Sequence, residues 1–421
     1  MAAMSAPDAL VTVVGLDAAG APPHPALASA LAGAGLLVGA ARHLAAVPVP
    51  ADAETVVLGP LAPALRRLVD AAAAGVPAVV LASGDPGLFG IVRRLRAAGL
   101  PLRVVPAVSS VAAAFARAGL SWDGAAVVTA HGRDLRPALN ACRALPLVAV
   151  LTAPGAGAAE VGAALVGWPR RLLVAEHLGT DAERVREVTP DQAAEAAWSD
   201  PHVLLSIAVP ADPLLDMPTS DPVGAGAMRV DNQPAAAPAG GWALPEDRYA
   251  HRDSMITKSE VRALVVARLR PRLGRLVWDI GAGSGSVGIE CASLGAAVLA
   301  VERDPGSAAT IRDNAAAHAV DVRIVVGCAP AVLDGLPEPD AVFVGGGGVD
   351  VLTAVLARRP ERIVLTLAAL DRVAPAVGLL RAAGYTVEGS QLSAARLAAL
   401  PGGSIRLAAT NPVVVLTGER P

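Results

Sequence analysis

Aromatic residues make up only 2% of the 421-residue chain, and lysine occurs once, at Lys258. The first scarcity means that the cores are built from alanine, valine and leucine. With 53% of residues hydrophobic there is apolar material for about two or three domains. Excess positive charge is also lacking. The net charge of −3 argues against a nucleic-acid surface. The three cysteines, Cys142, Cys291 and Cys328, show neither paired nor metal-ligand spacing. That pattern points to buried, reduced thiols in a cytoplasmic protein without a metal site. No apolar run is both long enough and free enough of glycine, proline and charge to span a bilayer, and no basic region precedes an apolar core at the start, so no membrane partner is expected. No Ser/His/Asp constellation occurs either, and no catalytic residue is assigned. Where arginine supplies every other positive side chain, Lys258 stands out as a candidate contact, against the plain alternative of a solvated lysine.

What is present centres on residues 277–285, VWDIGAGSG. An apolar run reaches Asp279, glycines follow at Gly281, Gly283 and Gly285, and a helical pattern begins at Ser286. That is strand, tight turn and helix. Glycine allows positive φ and keeps side chains out from between backbone and ligand, and the free N–H groups of the next helix face the same spot. Glu302 ends the next apolar strand, where a carboxylate can accept hydrogen bonds from both hydroxyls of a ribose. An adenosine-containing cofactor is expected. Gly283, Gly285 and Gly288 also satisfy G-x-G-x-x-G, so the turn alone admits a nicotinamide dinucleotide. Asp279 favours S-adenosyl-L-methionine, because an acid there can meet its cationic methionine end and would repel a pyrophosphate.

Strands alternate with helical stretches, which predicts an α/β chain with a largely parallel sheet. Expected strands cover 10–16, a run ending in Arg42 and His43, 54–59, 76–83 and 102–110, with Ser110 capping the helix that follows. A second set, from 125 to 210, includes a helix running to Trp198. These form two lobes that break near 120–124, with a ligand cleft between them. Residues 211–241 are rich in Pro, Gly, Ala, Asp and Ser without a period and read as a flexible linker between domains at 1–210 and 242–421. In the second domain Thr257 or Ser259 caps a helix over 260–269. Five alternating strands follow, and residues 405–420 form an antiparallel pair at the sheet edge.

The second domain resembles the decarboxylating methyltransferases of corrin-ring synthesis. The matching residues are Met255-Ile256-Thr257-Lys258 with Glu260-Val261-Arg262, the DIGAGSG turn, AVERDP at 300–305, GCAP at 327–330 and DAVFVGGGG. The first domain resembles the tetrapyrrole (corrin/porphyrin) methylase family through VVGL at 13–16, VGAARHL at 38–44, SGDPGLFG at 83–90, VVPAVSSVAAAFARAGLSWDGA, VTAHGR and AEHLGTDAERV at 175–185. One departure stands in the first loop. The family's G-x-G-P-G is replaced here by Gly15-Leu16-Asp17-Ala18-Ala19-Gly20.

The resemblance implies a two-lobed tetrapyrrole methylase fold followed by a Rossmann-like, seven-stranded methyltransferase fold. It implies S-adenosyl-L-methionine as cofactor in each half and a precorrin tetrapyrrole as substrate. The chemistry implied is methylation at C-15 with loss of the ring C acetate as carbon dioxide in the second domain, and methylation at C-5 in the first, within cobalamin biosynthesis. Implied cofactor contacts are Thr257, Gly281, Ala282, Gly283, Ser284, Gly285, Glu302 and Ala329, and Gly84, Asp85, Ser109 and Ser110. A polycarboxylate substrate calls for cations, and Arg252 and Lys258 are the candidates. His43 and His131 are read as structural or cleft-lining. A homo-oligomer is expected. Two alternatives stay open: the same chemistry on a cobalt-containing ring, and a first domain that serves only as a scaffold.

Overall fold

The computed structural model describes residues 11–17, 25–209, 242–252 and 256–421. The expected linker at 211–241, Gly20 and Met255 lie outside the described residues. The chain is mixed α/β with parallel sheets. Among the described residues no helix is long and apolar enough to cross a membrane.

Strands β1 (Val11–Leu16), β2 (Leu36–Gly39), β3 (Glu54–Val57), β4 (Ala78–Ser83) and β5 (Leu102–Val105) form an all-parallel sheet in the order β3-β2-β4-β1-β5. Helices α1 (Ala26–Ala32), α2 (Ala41–Ala45), α3 (Leu61–Ala73) and α4 (Val92–Ala97) connect them. Arg42 and His43 therefore sit on a helix, α2, and not at a strand end. Helix α5 (Ser110–Ala118) follows. Its cap is Ser109, whose hydroxyl accepts from the Ala112 amide at 3.1 Å; Ser110, the expected cap, is already helical.

The second sheet comprises β6 (Ala126–Thr129), β7 (Leu147–Leu151), β8 (Arg170–Glu176), β9 (Arg184–Val188) and β10 (His202–Ala208), in the order β6-β7-β10-β8-β9. Helices α6 (Arg136–Ala144), α7 (Ala158–Leu165) and α8 (Pro190–Glu195) accompany it. Only β6 and β7 are parallel; the other pairs are antiparallel, which corrects the expectation for this lobe. The expected long helix to Trp198 is in fact β9, a loop and α8. Val111, Ala114 and Phe115 of α5 pack with Ala149, Leu173 and Leu205, so α5 belongs to the second lobe by burial and the lobes part before it.

Beyond the undescribed stretch come α9 (Ser259–Leu269), β11 (Leu276–Ile280), α10 (Ser286–Ser293), β12 (Ala297–Glu302), α11 (Pro305–Ala317), β13 (Arg323–Val326), β14 (Ala341–Val344), α12 (Val349–Ala357), β15 (Arg362–Leu367), α13 (Val373–Ala382), β16 (Thr386–Leu392), β17 (Ala395–Ala399), β18 (Ile405–Ala409) and β19 (Val413–Glu419). The large sheet has seven strands, ordered β13-β12-β11-β14-β15-β19-β16. The five β11 to β15 strands are parallel, and β19 and β16 are antiparallel. Every residue of β11 and β12 is buried, as expected for strands covered on both faces. The antiparallel edge pair is β16 with β19. Residues 405–409 instead pair with β17 in a separate two-stranded sheet.

The two halves meet at the amino ends of the large sheet's strands. Asn140 of α6, fully buried, donates to the Gly274 carbonyl at 3.1 Å and to Asp340 at 3.3 Å. Arg136 pairs with Asp340 at 3.1 Å, and buried Arg170 with Asp321 at 2.5 Å. One apolar core runs across this junction, from Ala138 and Trp168 to Leu276 and Leu299.

The segment before α9 is fastened by buried charge. Glu290 of α10 accepts from the amides of Ala243 (2.8 Å) and Leu244 (3.0 Å), from the Tyr249 hydroxyl (3.2 Å) and from Arg262 Nε (2.6 Å). Arg262 also donates to the carbonyls of Thr257, at 2.6 Å, and Leu244. Burial, then the Glu290 charge, raises the Tyr249 hydroxyl pKa well above its ordinary value. The expected cap of α9 by Thr257 or Ser259 does not form. Lys258 stands at that position without a side-chain bond, and Glu246 accepts from the Ser259 amide at 2.9 Å. Removing one partner of a buried pair strands the other charge. Glu290→Ala is expected to destabilise the C-terminal half by about 3–5 kcal/mol, seen as a lowered urea midpoint in tryptophan fluorescence. An unchanged midpoint would contradict the fastening role.

Candidate active site

The carboxyl ends of β11, β12 and β14 enclose a cavity of about 750 Å³. It lies where the strand order reverses beside β11, the usual ligand crevice of an open α/β sheet. Thr257, Gly281, Ala282, Gly283, Ser284, Glu302 and Ala329 all line it, as does Arg252. Two predicted residues do not. Gly285 stands behind as the left-handed N-cap of α10, and Lys258 lines a neighbouring cavity. Lining residues that sequence reasoning passed over include Arg303, Asp304, Ser307, Cys328 and Phe343. Asp304 was within reach, since it adjoins Glu302 in the AVERDP motif.

The turn is shaped for close approach. Gly281 has φ 73°, and a Cβ there would lie 2.9 Å from the Gly346 nitrogen, so β11 and β14 end in touching glycine backbones. Glu302 accepts from the Gly283 amide at 2.8 Å and the Asp304 amide at 3.0 Å. A carboxylate has about four lone-pair sites, which leaves capacity for two further donors from the cavity. Asn314 holds the turn to the preceding segment. Its Nδ2 donates to the carbonyls of Ser284 (2.9 Å) and Ala250 (2.8 Å), and its Oδ1 accepts from the Ala250 amide at 2.8 Å. Arg252, exposed at the cavity wall, pairs with Asp304 at 3.7 Å.

Asp279 corrects the expectation. Its carboxylate is fully buried behind the turn and does not line the cavity. Oδ2 accepts from the Gly288 amide at 2.8 Å, while Oδ1 is buried without a hydrogen-bond partner. Burial pushes its pKa up to about 7, opposed by the Gly288 bond and reinforced by the Glu302 charge. A direct contact with a cationic ligand is therefore replaced by a role inside the turn.

In the N-terminal half a cavity of about 500 Å³ lies between the lobes, as the cleft expectation requires. Gly84, Asp85, Ser109 and Ser110 all line it, together with Arg42, Ser83, His177 and His202. Asp85 Oδ1 accepts from the Gly87 amide at 2.7 Å, so one of its oxygens serves the turn itself. Gly15, the first glycine of the altered first loop, packs so tightly that a Cβ would collide with the Gly84 carbonyl oxygen. His43 is buried beneath the cleft, its Nε2 2.9 Å from Ser83 Oγ, and Arg42 donates to the same oxygen at 2.9 Å. Burial, then the Arg42 charge, lowers the His43 pKa below the ordinary imidazole value. His131 is exposed and lines neither cavity. Among the described residues none lines both cavities, and each is lined from one half alone.

Residues 25–194 match the family model of tetrapyrrole (corrin/porphyrin) methylases, and residues 247–417 match that of the precorrin methyltransferase domain. A precorrin-6Y C(5,15)-methyltransferase [decarboxylating] of Sinorhizobium sp is 39% identical, over 68% of this chain and 67% of that relative. The protein of the same name from Mycobacterium tuberculosis (strain ATCC 25618 / H37Rv) is 34% identical over the same shares. A probable cobalt-precorrin-6B C(15)-methyltransferase (decarboxylating) of Pyrobaculum calidifontis is 34% identical over 41% of this chain and 94% of its own length.

The Asp279 carboxyl holds its proton in the folded chain well above its ordinary pKa of 3.8. Its contribution to stability is therefore present below about pH 4 and lost as pH rises towards about 7. Asp279→Asn keeps an acceptor for Gly288 and removes the titration. Urea melts without cofactor from pH 4 to 8 are expected to give a flatter stability profile for the variant; parallel profiles would contradict the assignment.

Proposed function

The chain belongs to the precorrin-6Y C(5,15)-methyltransferase (decarboxylating) family, and on that premise we propose that each half is a working methyltransferase with its own S-adenosyl-L-methionine site. The enzyme is a decarboxylating precorrin methyltransferase of cobalamin biosynthesis. The finer reading gives residues 1–210 the tetrapyrrole methylase fold and methylation at C-5. It gives residues 242–421 the Rossmann-like methyltransferase fold, methylation at C-15 and the decarboxylation. The observation that carries the C-terminal assignment is the pairing of the touching glycine backbones at Gly281 and Gly346 with the Glu302 carboxylate, two of whose lone pairs stay open, in one cavity.

S-adenosyl-L-methionine, when bound, supplies a methyl group already made electrophilic by its sulfonium. The residues of the chain have a simpler task. Glu302 accepts the two ribose hydroxyls on the lone pairs that Gly283 and Asp304 leave open. The glycine turn admits the ligand to backbone distance, and the Asn314 bridge keeps the turn in register with the Arg252 segment. Bringing a nucleophilic ring carbon in line with the methyl, with water kept out, is a positional effect, worth up to about 7–11 kcal/mol at best. In the N-terminal cleft Gly84, Asp85, Ser109 and Ser110 take the corresponding cofactor role. The first loop keeps Gly15, which packs on Gly84 of the cleft wall.

Glu302→Ala is the direct test. Product analysis by mass spectrometry is expected to show a ring with one added methyl and its acetate retained, because only the C-terminal half is disabled. A doubly methylated, decarboxylated product formed at the wild-type rate would overturn the assignment.

A further inference from the structure

The cofactor cavity is one arm of a larger depression. It shares Ile256 and Thr257 with a second cavity of about 450 Å³, and Gly345, Gly346 and Gly347 with a third of about 640 Å³. The second and third share Thr366 and Val413, at the end of β15 and the start of β19. The result is a trough along the carboxyl edge of the large sheet, opening sideways into the cofactor cavity at the glycine run. Drug-sized ligands occupy roughly 300–1,000 Å³. A tetrapyrrole with its acetate and propionate arms is larger than a drug, and it needs both side cavities.

The charges in the trough match such a ligand. Lys258 lines one end and Arg372 the other. Among the described residues neither is paired with a carboxylate, and the hydrogen bond recorded for Arg372 is a long one, 3.4 Å from Nη1 to the Gly347 carbonyl. Many other arginines of this half, among them Arg262, Arg358, Arg362 and Arg396, are held in ion pairs. Between the two cations the wall is apolar at Leu365, Ala368 and Val413, with neutral polar groups at Gln391 and Asn411; the one acid beside Lys258 in the second cavity's described lining, Glu260, is already held by Arg396. An apolar floor with a free cation at each end suits a flat ring whose carboxylates point outwards.

We propose that this trough holds the tetrapyrrole, with Arg372 and Lys258 gripping carboxylates at its two ends. The reacting carbon then lies over Gly345–Gly347, the glycine run that lines both the trough and the cofactor cavity. This rests on the methyltransferase reading of the C-terminal half. It adds Arg372 as a determinant of substrate recognition, one that no local motif marks, since it precedes α13 and reaches the site only through the fold.

The test measures KM for the precorrin substrate in the decarboxylation reaction of the full-length enzyme, alongside calorimetric binding of S-adenosylhomocysteine. Arg372→Ala is expected to raise KM about tenfold or more, the scale of one charge-assisted contact. Arg372→Lys recovers part of the loss, and Lys258→Ala gives a similar rise. S-adenosylhomocysteine affinity stays within about twofold of wild type in all three, which also reports that the variants fold. Unchanged KM in both alanine variants, with S-adenosylhomocysteine still bound, would overturn the trough and leave the cofactor reading standing. Absence of S-adenosylhomocysteine binding by the wild-type C-terminal site would overturn both.

Discussion

Four donors converge on the buried carboxylate of Glu290, and much of the C-terminal site depends on that convergence. Two of them are backbone amides of the segment that enters the domain, one is a hydroxyl from that segment, and the fourth is the guanidinium of Arg262 on α9. Arg262 then reaches the Thr257 carbonyl. The knot ties the entering segment, α9 and α10 into one unit. Through it Arg252 and Thr257 stand at the cavity wall and Lys258 at the adjoining trough. A buried charge unpaired would be costly, so the unit is held as a whole or lost as a whole.

The sheet supplies the second constraint. Five parallel strands present all their carboxyl ends at one edge and all their amino ends at the other. The N-terminal half occupies the amino edge through Asn140, Arg136 and Arg170. The cavity of about 750 Å³ lies at the far edge, and among the described residues none lines both it and the cleft between the N-terminal lobes. One sheet thus carries a docking edge and a cavity edge, the arrangement on which the proposal of a separate cofactor site in each half rests.

What the sequence made legible was local. The strand–turn–helix at 276–293 was readable because glycine spacing and apolar runs are set by neighbouring residues, and Glu302 followed from the next strand's end. Elements governed by distant contacts were not. Strand β9, RVREV, is largely exposed and charged, and only its pairing with β8 makes it a strand. The position of Asp279 suggested a ligand contact, but its orientation is decided by the Gly288 amide on α10. Residues 405–409 looked like an edge strand because their alternation carries no information about partner. Helix α5 is adjacent in sequence to the first sheet yet buries its apolar face on the second. Arg372 belongs to no motif and meets the trough only once β15 has placed the following turn beside the glycine run.

The account stands on two separate cofactor sites in one chain. Calorimetric titration of S-adenosylhomocysteine into the intact protein tests this most directly. Two sites per chain are predicted, one at the glycine turn of the large sheet and one in the cleft between the N-terminal lobes. Saturation at one molecule per chain would contradict the claim that both halves are working methyltransferases.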